Sequence, residues 1–302
     1  MNESESVPEE LLLGQYIPLH YHFNMLQDLS RMNPFREAIA CSVPVGSRVL
    51  ELGGGTGVLS FFAAQRAAKV WSVERNPALV RAARSFLANN PGGDRVEVVQ
   101  ADAMTYLPPE PVDVVICEML HVAMIREKQL DVLRTFKERY VRAFGPRLPA
   151  FIPDASVLGV QLVEQDFCFS GYTAPVPLFK PPGPHPETQW LSEPQIYSTI
   201  SYDAAIPADF DWEGCMTVQR DGTLNALSFL TNNLLALVLR EHRAVQWPMN
   251  QLILPLPNPI AVRTNDTVTV RFAYRAGCPL EALQDSLIVE RHAHWLPLRH
   301  AA

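Results

Sequence analysis

Short apolar runs alternate with longer amphipathic segments between residues 45 and 153 of the chain. The runs VLEL, VWSVE, VEVVQ and VDVVIC have the composition of buried strands, and the segments between them repeat apolar residues at helical spacing. Strands and helices in alternation are typical of a parallel sheet with crossover helices. Further upstream, the spacing predicts a helix from Leu19 to Met32, bounded by Pro18 and Pro34. The pattern therefore predicts an α/β, Rossmann-like domain with N-terminal helices over residues 15–153.

The pattern changes after Ala155 to short runs of alternating apolar and polar residues, such as SVLGVQLV, MTVQR and TVTVRFAY. Alternation of this kind is typical of antiparallel strands with one buried face. The sequence therefore predicts an antiparallel β-barrel-like domain over residues 154–302. Its proline-rich segment 169–194 is predicted to be an extended loop, because proline breaks helices. Residues 1–14 are predicted to form a disordered tail.

Composition and charge limit the classes of function. Of the 302 residues, 48% are hydrophobic and 19% charged, so the chain can bury a sizeable core. The net charge of −7 argues against a nucleic-acid binder held by phosphate contacts. The five cysteines are scattered without a C-x-x-C pair, which predicts reduced thiols in the core and no metal site. The start MNESESVPEE is unlike a signal peptide, and no apolar run approaches the roughly 20 residues that span a bilayer. We therefore predict a cytoplasmic protein without a membrane partner.

A glycine-rich turn, Gly53-Gly54-Gly55-Thr56-Gly57, follows the first strand and leads into an apolar helix pattern. Glycines at such a turn let the backbone approach a ligand at the N-terminus of the helix. Dinucleotide-binding folds also have glycines there, but the acid before this turn gives the spacing E-x-G-x-G-x-G. A P-loop is excluded because the Walker GK[ST] motif is absent.

Two further acids stand where the next strands end. Glu74 closes VWSVE, where it can accept hydrogen bonds from the two hydroxyls of a ribose. Asp102 follows VEVVQ, where it either meets an adenine or forms a simple turn. Together with the glycine turn, these acids resemble a class I S-adenosylmethionine (SAM) methyltransferase. That resemblance implies SAM as the cofactor and a set of residues that bind it: Glu51, Gly53, Gly55, Thr56, Gly57, Glu74 and Asp102.

A pair of glutamates flanks the end of the fourth strand. Glu118 directly follows the apolar run that ends at Cys117, and Glu127 lies nine residues further on. An acid at this end of a parallel strand lies at the ligand-binding edge of the sheet. Two such acids suit a guanidinium, whose N–H groups match carboxylate oxygens in a bidentate way. The alternative interpretation makes Glu127 a solvated acid in the first turn of a helix.

The two glutamates, with eight residues between them, resemble the double-glutamate loop of the protein arginine methyltransferases. The resemblance extends to the helix pattern H-x-x-M-L-x-D-x-x-R, which His22, Met25, Asp28 and Arg31 reproduce in register. It also includes the junction Phe151-Ile152-Pro153-Asp154, and it covers roughly residues 12–275. It implies catalytic roles for Glu118 and Glu127 in a direct methyl transfer.

Other roles are implied by the same resemblance. His22 and Arg31 would contact the cofactor, with Arg31 on its carboxylate, and Met25 would line the methyl-transfer site. Tyr16 matches a family tyrosine, and Trp247 is the tryptophan of a Thr-His-Trp loop. Gln246 replaces the histidine of that loop and can donate to Asp28, which favours a single methyl transfer. His121 stands in the segment where the family has a tyrosine that frames the acceptor, which makes it a candidate acceptor contact.

The sequence therefore predicts a SAM-dependent N-methyltransferase that acts on a guanidino group. Free arginine or another small acceptor is modestly favoured over protein arginine, because the acceptor loop is altered and no docking module is recognised. The family's helical dimerisation arm is not expected in segment 169–194, so a homodimer is left open. The alternatives are a methyltransferase for a different acceptor and a catalytically silent SAM-binding protein.

Overall fold

The computed structural model describes residues 17–292, so the predicted tail and Tyr16 lie outside the described residues. Two helices occupy the region where one was predicted, α1 (Leu19–Gln27) and α2 (Leu29–Ser42). They separate at Asp28, whose backbone leaves the helical region and whose carboxylate caps α2 by accepting from the Arg31 amide at 3.2 Å. The end predicted before Pro34 is wrong, because α2 continues through that residue. Burial of Phe35 and Ile39 in the core offsets the hydrogen bond that the proline cannot donate.

The first sheet has five parallel strands in the order β3-β2-β1-β4-β5. Its strands are β1 (Arg48–Leu52), β2 (Lys69–Glu74), β3 (Val96–Gln100), β4 (Val114–Cys117) and β5 (Ala150–Ile152). The crossover helices are α3 (Val58–Ala64), α4 (Pro77–Ala88) and α5 (Gln129–Phe144). The chain moves from β1 to one side of the sheet and returns to the other side at β4, so a switch point lies between these two strands. The predicted Rossmann-like fold is confirmed.

The described residues after β5 fold mainly into antiparallel sheets, which confirms the predicted barrel-like architecture. A curled seven-stranded sheet has the order β10-β6-β13-β15-β9, with β11 paired to β6 and β14 paired to β13. A three-stranded sheet has the order β12-β16-β17, and β7 and β8 form a hairpin. The strands are β6 (Ala155–Gln165), β7 (Cys168–Phe169), β8 (Tyr172–Thr173), β9 (Leu178–Lys180), β10 (Thr188–Trp190), β11 (Gln195–Ser201), β12 (Asp209–Thr217), β13 (Gly222–Val238), β14 (Arg243–Pro248), β15 (Gln251–Val262), β16 (Thr267–Arg275) and β17 (Ile288–His292). A short helix, α6 (Leu280–Asp285), stands between the last two strands.

One hydrophobic core joins the parallel and antiparallel sheets. It runs from Phe35 in α2 through Ile116 in β4 to Phe229 in β13, and all three side chains are buried. The proline-rich segment 169–194 contains short strands and no helix. No helix between residues 17 and 292 is long and apolar enough to cross a membrane. The same residues contain no cluster of histidine, cysteine, aspartate and glutamate arranged to hold a metal. The prediction that the cysteines lie in the core is wrong for Cys41, Cys168 and Cys215, which are exposed.

Candidate active site

A cavity of about 300 Å³ opens at the carboxyl ends of β1, β2 and β4, where α1 and β14 also reach. Ligands of open α/β sheets bind at this end, beside the switch point. Most of the site residues that the sequence predicts line this cavity. They are His22, Met25, Arg31, Glu51, Gly53, Gly55, Thr56, Glu74, Asp102, Glu118, Glu127 and Trp247.

The glycine turn passes too close to neighbouring side chains for larger residues to fit. A Cβ on Gly54 would lie 2.2 Å from Ser72 Oγ in β2. Gly55 has a φ of +53°, and a Cβ there would lie 3.1 Å from Cε1 of His22. Gly57 lies against Leu87 in α4 and does not line the cavity. The glycines of the turn that line the cavity therefore present backbone to a ligand.

Glu51 lies buried beneath this turn. Its carboxylate accepts hydrogen bonds from the Ser60 amide and the Ser72 hydroxyl, each at 3.1 Å, and from the Ser60 hydroxyl. Burial raises the pKa of Glu51 to about 7, although these hydrogen bonds oppose the rise. The acid therefore ties β1 to the first turn of α3 and to β2.

Glu74 and Asp102 are held by backbone amides at the strand ends. Glu74 accepts from the amides of Gly55 at 2.9 Å and Asn76 at 2.7 Å. Asp102 accepts from the Met104 amide at 2.9 Å, and its other oxygen lies 3.6 Å from Nη1 of Arg75. Both carboxylates are thus fixed at the wall of the cavity.

An ion pair lies where β4 ends at the cavity. Arg31 donates from Nη2 to Oε2 of Glu118, and the two side chains are only 13% and 12% exposed. The guanidinium carbon of Arg31 also lies 5.9 Å from the centre of the Trp247 ring, which packs edge-on against Phe35. Arg31 is therefore held between an acid from β4 and an aromatic ring from β14.

The pKa values of Glu118 and Glu127 are both raised within this wall. Burial, followed by the charge of Glu118, raises the pKa of Glu127 to about 8, while Arg31 and Arg126 oppose the rise. Burial also raises the pKa of Glu118, against the opposing effect of Arg31. Two largely buried carboxyl groups with so little contact with water favour a cationic partner.

The loop that carries both acids, residues 118–128, has an unusual backbone. Ala123, Met124 and Arg126 adopt positive φ angles of 58°, 55° and 65°, which side-chain-bearing residues rarely do. Such a conformation persists only where the surroundings impose it. Here the antiparallel sheets and the chain after β16 impose it, because they make hydrogen bonds to the backbone of the loop.

The anchors of this loop are distributed over its backbone. The Ala123 amide donates to Thr231 Oγ1 at 2.9 Å, and the Ala123 carbonyl accepts from the Tyr274 hydroxyl at 2.8 Å. Further along, the Gly277 amide donates to the Met124 carbonyl at 2.8 Å, and the Arg126 amide to the Cys278 carbonyl at 2.7 Å. The antiparallel part of the molecule therefore sets the shape of the loop between the two glutamates.

A Tyr274→Phe variant should lower kcat by at least about tenfold, because its hydroxyl anchors the loop that carries the two glutamates predicted to be catalytic, and a small displacement of such groups is costly. The buried Tyr274 hydroxyl also lies 2.7 Å from that of Tyr197, so its loss leaves two polar groups short of a partner. Tyr140→Phe is the matched control, since the Tyr140 hydroxyl is buried on the Val112 backbone at the start of β4. Both variants should lose about 1–3 kcal/mol of stability. Steady-state kinetics should show a lower kcat for Tyr274→Phe alone, and equal kcat values would contradict this anchoring role.

Two predicted acceptor contacts do not line the cavity. The His121 ring stacks edge-on against Phe179 in β9, with 5.5 Å between ring centres, and burial lowers its pKa to about 4. Gln246 is exposed and accepts from Asn232 at 2.9 Å, because the alternation of β14 turns its neighbour Trp247 inward. Within residues 17–292 no hydrogen bond joins Gln246 to Asp28. The acceptor roles of His121 and Gln246 remain predictions.

Other residues that shape the site were not found from the sequence. Gln129 is buried, and its Oε1 accepts from the Met119 amide at 2.9 Å, which fixes the chain next to Glu118. In the sequence, Gln129 is a polar residue directly before the first apolar residue of the α5 helix pattern. Thr231 and Tyr274 stand 108 and 151 residues from Ala123, so no local pattern connects them to the loop.

Comparisons with known proteins agree with this geometry. Residues 49–140 match the family model described as a methyltransferase domain. The chain is 30% identical over 275 residues to an uncharacterized protein of Methanothermobacter thermautotrophicus, which covers 89% of this chain and 97% of that protein. It is also 30% identical over 151 residues to an arginine N(omega)-methyltransferase of Streptomyces achromogenes, covering 48% of this chain and 41% of that protein. The chain thus spans less than half the length of this curated methyltransferase.

A solved structure shares the fold. The Trypanosoma brucei PRMT1 enzyme–prozyme heterotetrameric complex with AdoHcy superposes with a TM-score of 0.70 at 18% identity. The match covers 91% of this chain and 98% of that chain, so the parallel and antiparallel sheets are both included. The chain therefore belongs to one family with the Methanothermobacter protein, and it is a class I SAM-dependent methyltransferase that resembles the protein arginine methyltransferases.

Proposed function

We propose that this protein transfers a methyl group from SAM to a guanidino nitrogen of arginine or an arginine-like acceptor. The observation that carries the proposal is the pair of coupled, largely buried acids Glu118 and Glu127 in one cavity. The name of the Streptomyces relative, an arginine N(omega)-methyltransferase, supports the same acceptor chemistry. We further propose a small guanidino acceptor and a single methyl transfer.

The cavity has the donors and acceptors that SAM needs. Nε2 of His22 is buried and has no hydrogen-bond partner within residues 17–292, so it is available to a ligand in the cavity. Glu74 would accept from the ribose hydroxyls, Asp102 would lie at the adenine, and Arg31 would bind the carboxylate. When bound, SAM supplies an activated methyl group on its sulfonium.

The two glutamates would orient the acceptor for in-line attack. A guanidinium is protonated at neutral pH and its lone pairs are delocalised, so it is a poor nucleophile. Carboxylates on two sides would hold it in one orientation and draw positive charge towards the nitrogens that are not methylated. Glu127, with its pKa near 8, is suited to take the proton that the methylated nitrogen releases.

In this scheme Arg31 would contact both the cofactor and the glutamates that bind the acceptor. In the structure it neutralises Glu118, which is one side of the acceptor clamp. A cofactor carboxylate would attract Arg31 and so release Glu118 for the guanidinium. The same side chain would therefore favour an order in which the cofactor binds first.

An Arg31→Met variant should bind SAM about 10- to 100-fold more weakly, because a charge-assisted hydrogen bond to its carboxylate is lost. Isothermal titration calorimetry with SAM measures this change. Arg36→Met is the control, since Arg36 lies on the same helix, is exposed and contacts only Asn33 by hydrogen bond within the described chain. An affinity equal to that of the control would remove Arg31 from the cofactor site.

The proposed function is tested by mass spectrometry of the product after incubation with isotopically labelled SAM. Free arginine, other small guanidino compounds and arginine-containing peptides are supplied as separate acceptors. We expect one labelled methyl group on a guanidino nitrogen. Label on any other type of atom would indicate a different methyltransferase, and SAM binding without transfer to any acceptor would indicate a silent binding protein.

A further inference from the structure

Three cationic side chains from arginine and lysine line the cavity. Two of them have acidic partners, because Arg31 pairs with Glu118 and Arg75 lies 3.6 Å from Asp102. The third is Lys128. Within residues 17–292 it makes no ion pair and no side-chain hydrogen bond, so its charge is uncompensated at the wall of the cavity.

The position of Lys128 relates it to the acceptor and not to the cofactor. It directly follows Glu127 at the start of α5, after the loop that carries both acids, whereas the glycine turn follows β1. Its side chain does not cap the helix. A Cβ on Gly277 would lie 3.4 Å from Lys128 Cγ, so the aliphatic stem packs beside the chain that follows β16. Lys128 thus follows Glu127 directly and lines the same cavity as both acids.

We propose that Lys128 binds a carboxylate of the acceptor, and that the acceptor is therefore a free guanidino carboxylic acid such as arginine. This inference rests on the proposed function of the same site. An acceptor with a guanidinium at one end and a carboxylate at the other matches Glu118 and Glu127 together with Lys128. In a polypeptide the carboxylate of arginine is an amide, which gives Lys128 no counter-charge. A flexible lysine can adapt to the length of the acceptor, since its charge is compact and its stem is mobile.

A set of acceptors that differ in their charges tests this assignment. L-Arginine and 4-guanidinobutyrate carry the carboxylate, agmatine lacks it, and an arginine peptide with blocked termini replaces it by an amide. We expect kcat/KM to be about 10- to 100-fold higher for the two carboxylates than for agmatine, as for a charge-assisted hydrogen bond. The blocked peptide should be as poor an acceptor as agmatine.

A Lys128→Met variant should remove this discrimination. KM for L-arginine and 4-guanidinobutyrate should rise about 10- to 100-fold, while KM for agmatine changes by less than about twofold. SAM affinity should stay the same. Arg142→Met is the control, because Arg142 is exposed in the last turn of the same helix and does not line the cavity.

Binding measurements separate failure of this inference from failure of the proposed function. Calorimetry with S-adenosylhomocysteine present records arginine and agmatine affinities without any transfer. Equal use of all guanidino acceptors, unaffected by Lys128→Met, would overturn the carboxylate site and leave guanidino methylation intact. Lys128-dependent binding of arginine without methyl transfer would support the carboxylate site and overturn the proposed reaction. Absence of both binding and transfer for every guanidino acceptor would overturn both.

Discussion

A Glu118→Gln variant is expected to lose methyl transfer by about a thousandfold while it binds SAM as tightly as the unaltered protein. Glutamine has nearly the same shape, but it removes the negative charge that would localise the positive charge of the acceptor. Loss of one well-placed electrostatic contact in a closed site lowers kcat by about two to three orders of magnitude. The cavity is such a site, since Glu118 is only 12% exposed.

Two measurements on this variant separate chemistry from binding. Single-turnover methyl transfer gives the rate of the chemical step, and calorimetry gives the SAM affinity. Glu138→Gln is the control, because Glu138 is exposed on α5 and does not line the cavity. A transfer rate within about tenfold of the control would mean that the acid pair does not act on the acceptor. A matching fall in SAM affinity would instead assign Glu118 to the cofactor.

Three of the acids that the sequence predicted lie at the ends of strands in a regular sheet. Glu74, Asp102 and Glu118 each follow an apolar run, and parallel strands bring their carboxyl ends to one edge. The glycine turn is recognisable from the sequence because β1 and α3, between which it lies, are adjacent in the chain. Local periodicity was therefore sufficient for the fold class and for these acids, whereas the site residues on α1, α2 and β14 were predicted from the resemblance to a family.

The parts that it missed depend on contacts between distant residues. Tyr274 and Thr231 hold Ala123 across the interface between the two kinds of sheet, and nothing near Ala123 in the sequence indicates this. The register of β14 turns Gln246 towards solvent, and a shift of one residue would have reversed it. The place of the His121 ring also depends on the fold, because the ring packs on Phe179 in β9, which is distant in the sequence.

The affinity for a guanidino acceptor should rise about tenfold for each pH unit from 6 to 8 and then level off. Burial raises the pKa of Glu127 to about 8, so below that pH the carboxyl group carries a proton and lacks the charge that the acceptor needs. The guanidinium does not titrate in this range. Acceptor binding near pH 7 should therefore release a proton, which calorimetry in buffers of different ionisation enthalpy detects. A Glu127→Gln variant should bind weakly at every pH, and a retained pH slope in that variant would assign the titration to another group.

Acceptor affinity should rise with pH, whereas the contribution of Glu127 to the stability of the ligand-free protein should fall as the pH rises. The carboxyl pKa of Glu127 is near 4.5 when it is solvated in the unfolded chain and about 8 when folded, so between these values the folded state binds the extra proton. This contribution to stability is present below pH 4.5 and is lost as the pH rises through 8. Glu127→Gln should therefore unfold in urea with a free energy on the order of 1–4 kcal/mol higher than the unaltered protein at pH 9, and with little difference at pH 5. The difference between the two proteins isolates Glu127, because Glu51 also titrates with a raised pKa, about 7, and is common to both. Equal pH dependence of unfolding would mean that Glu127 is solvated in the free enzyme, and the same acid could not then be the pH-dependent half of the clamp.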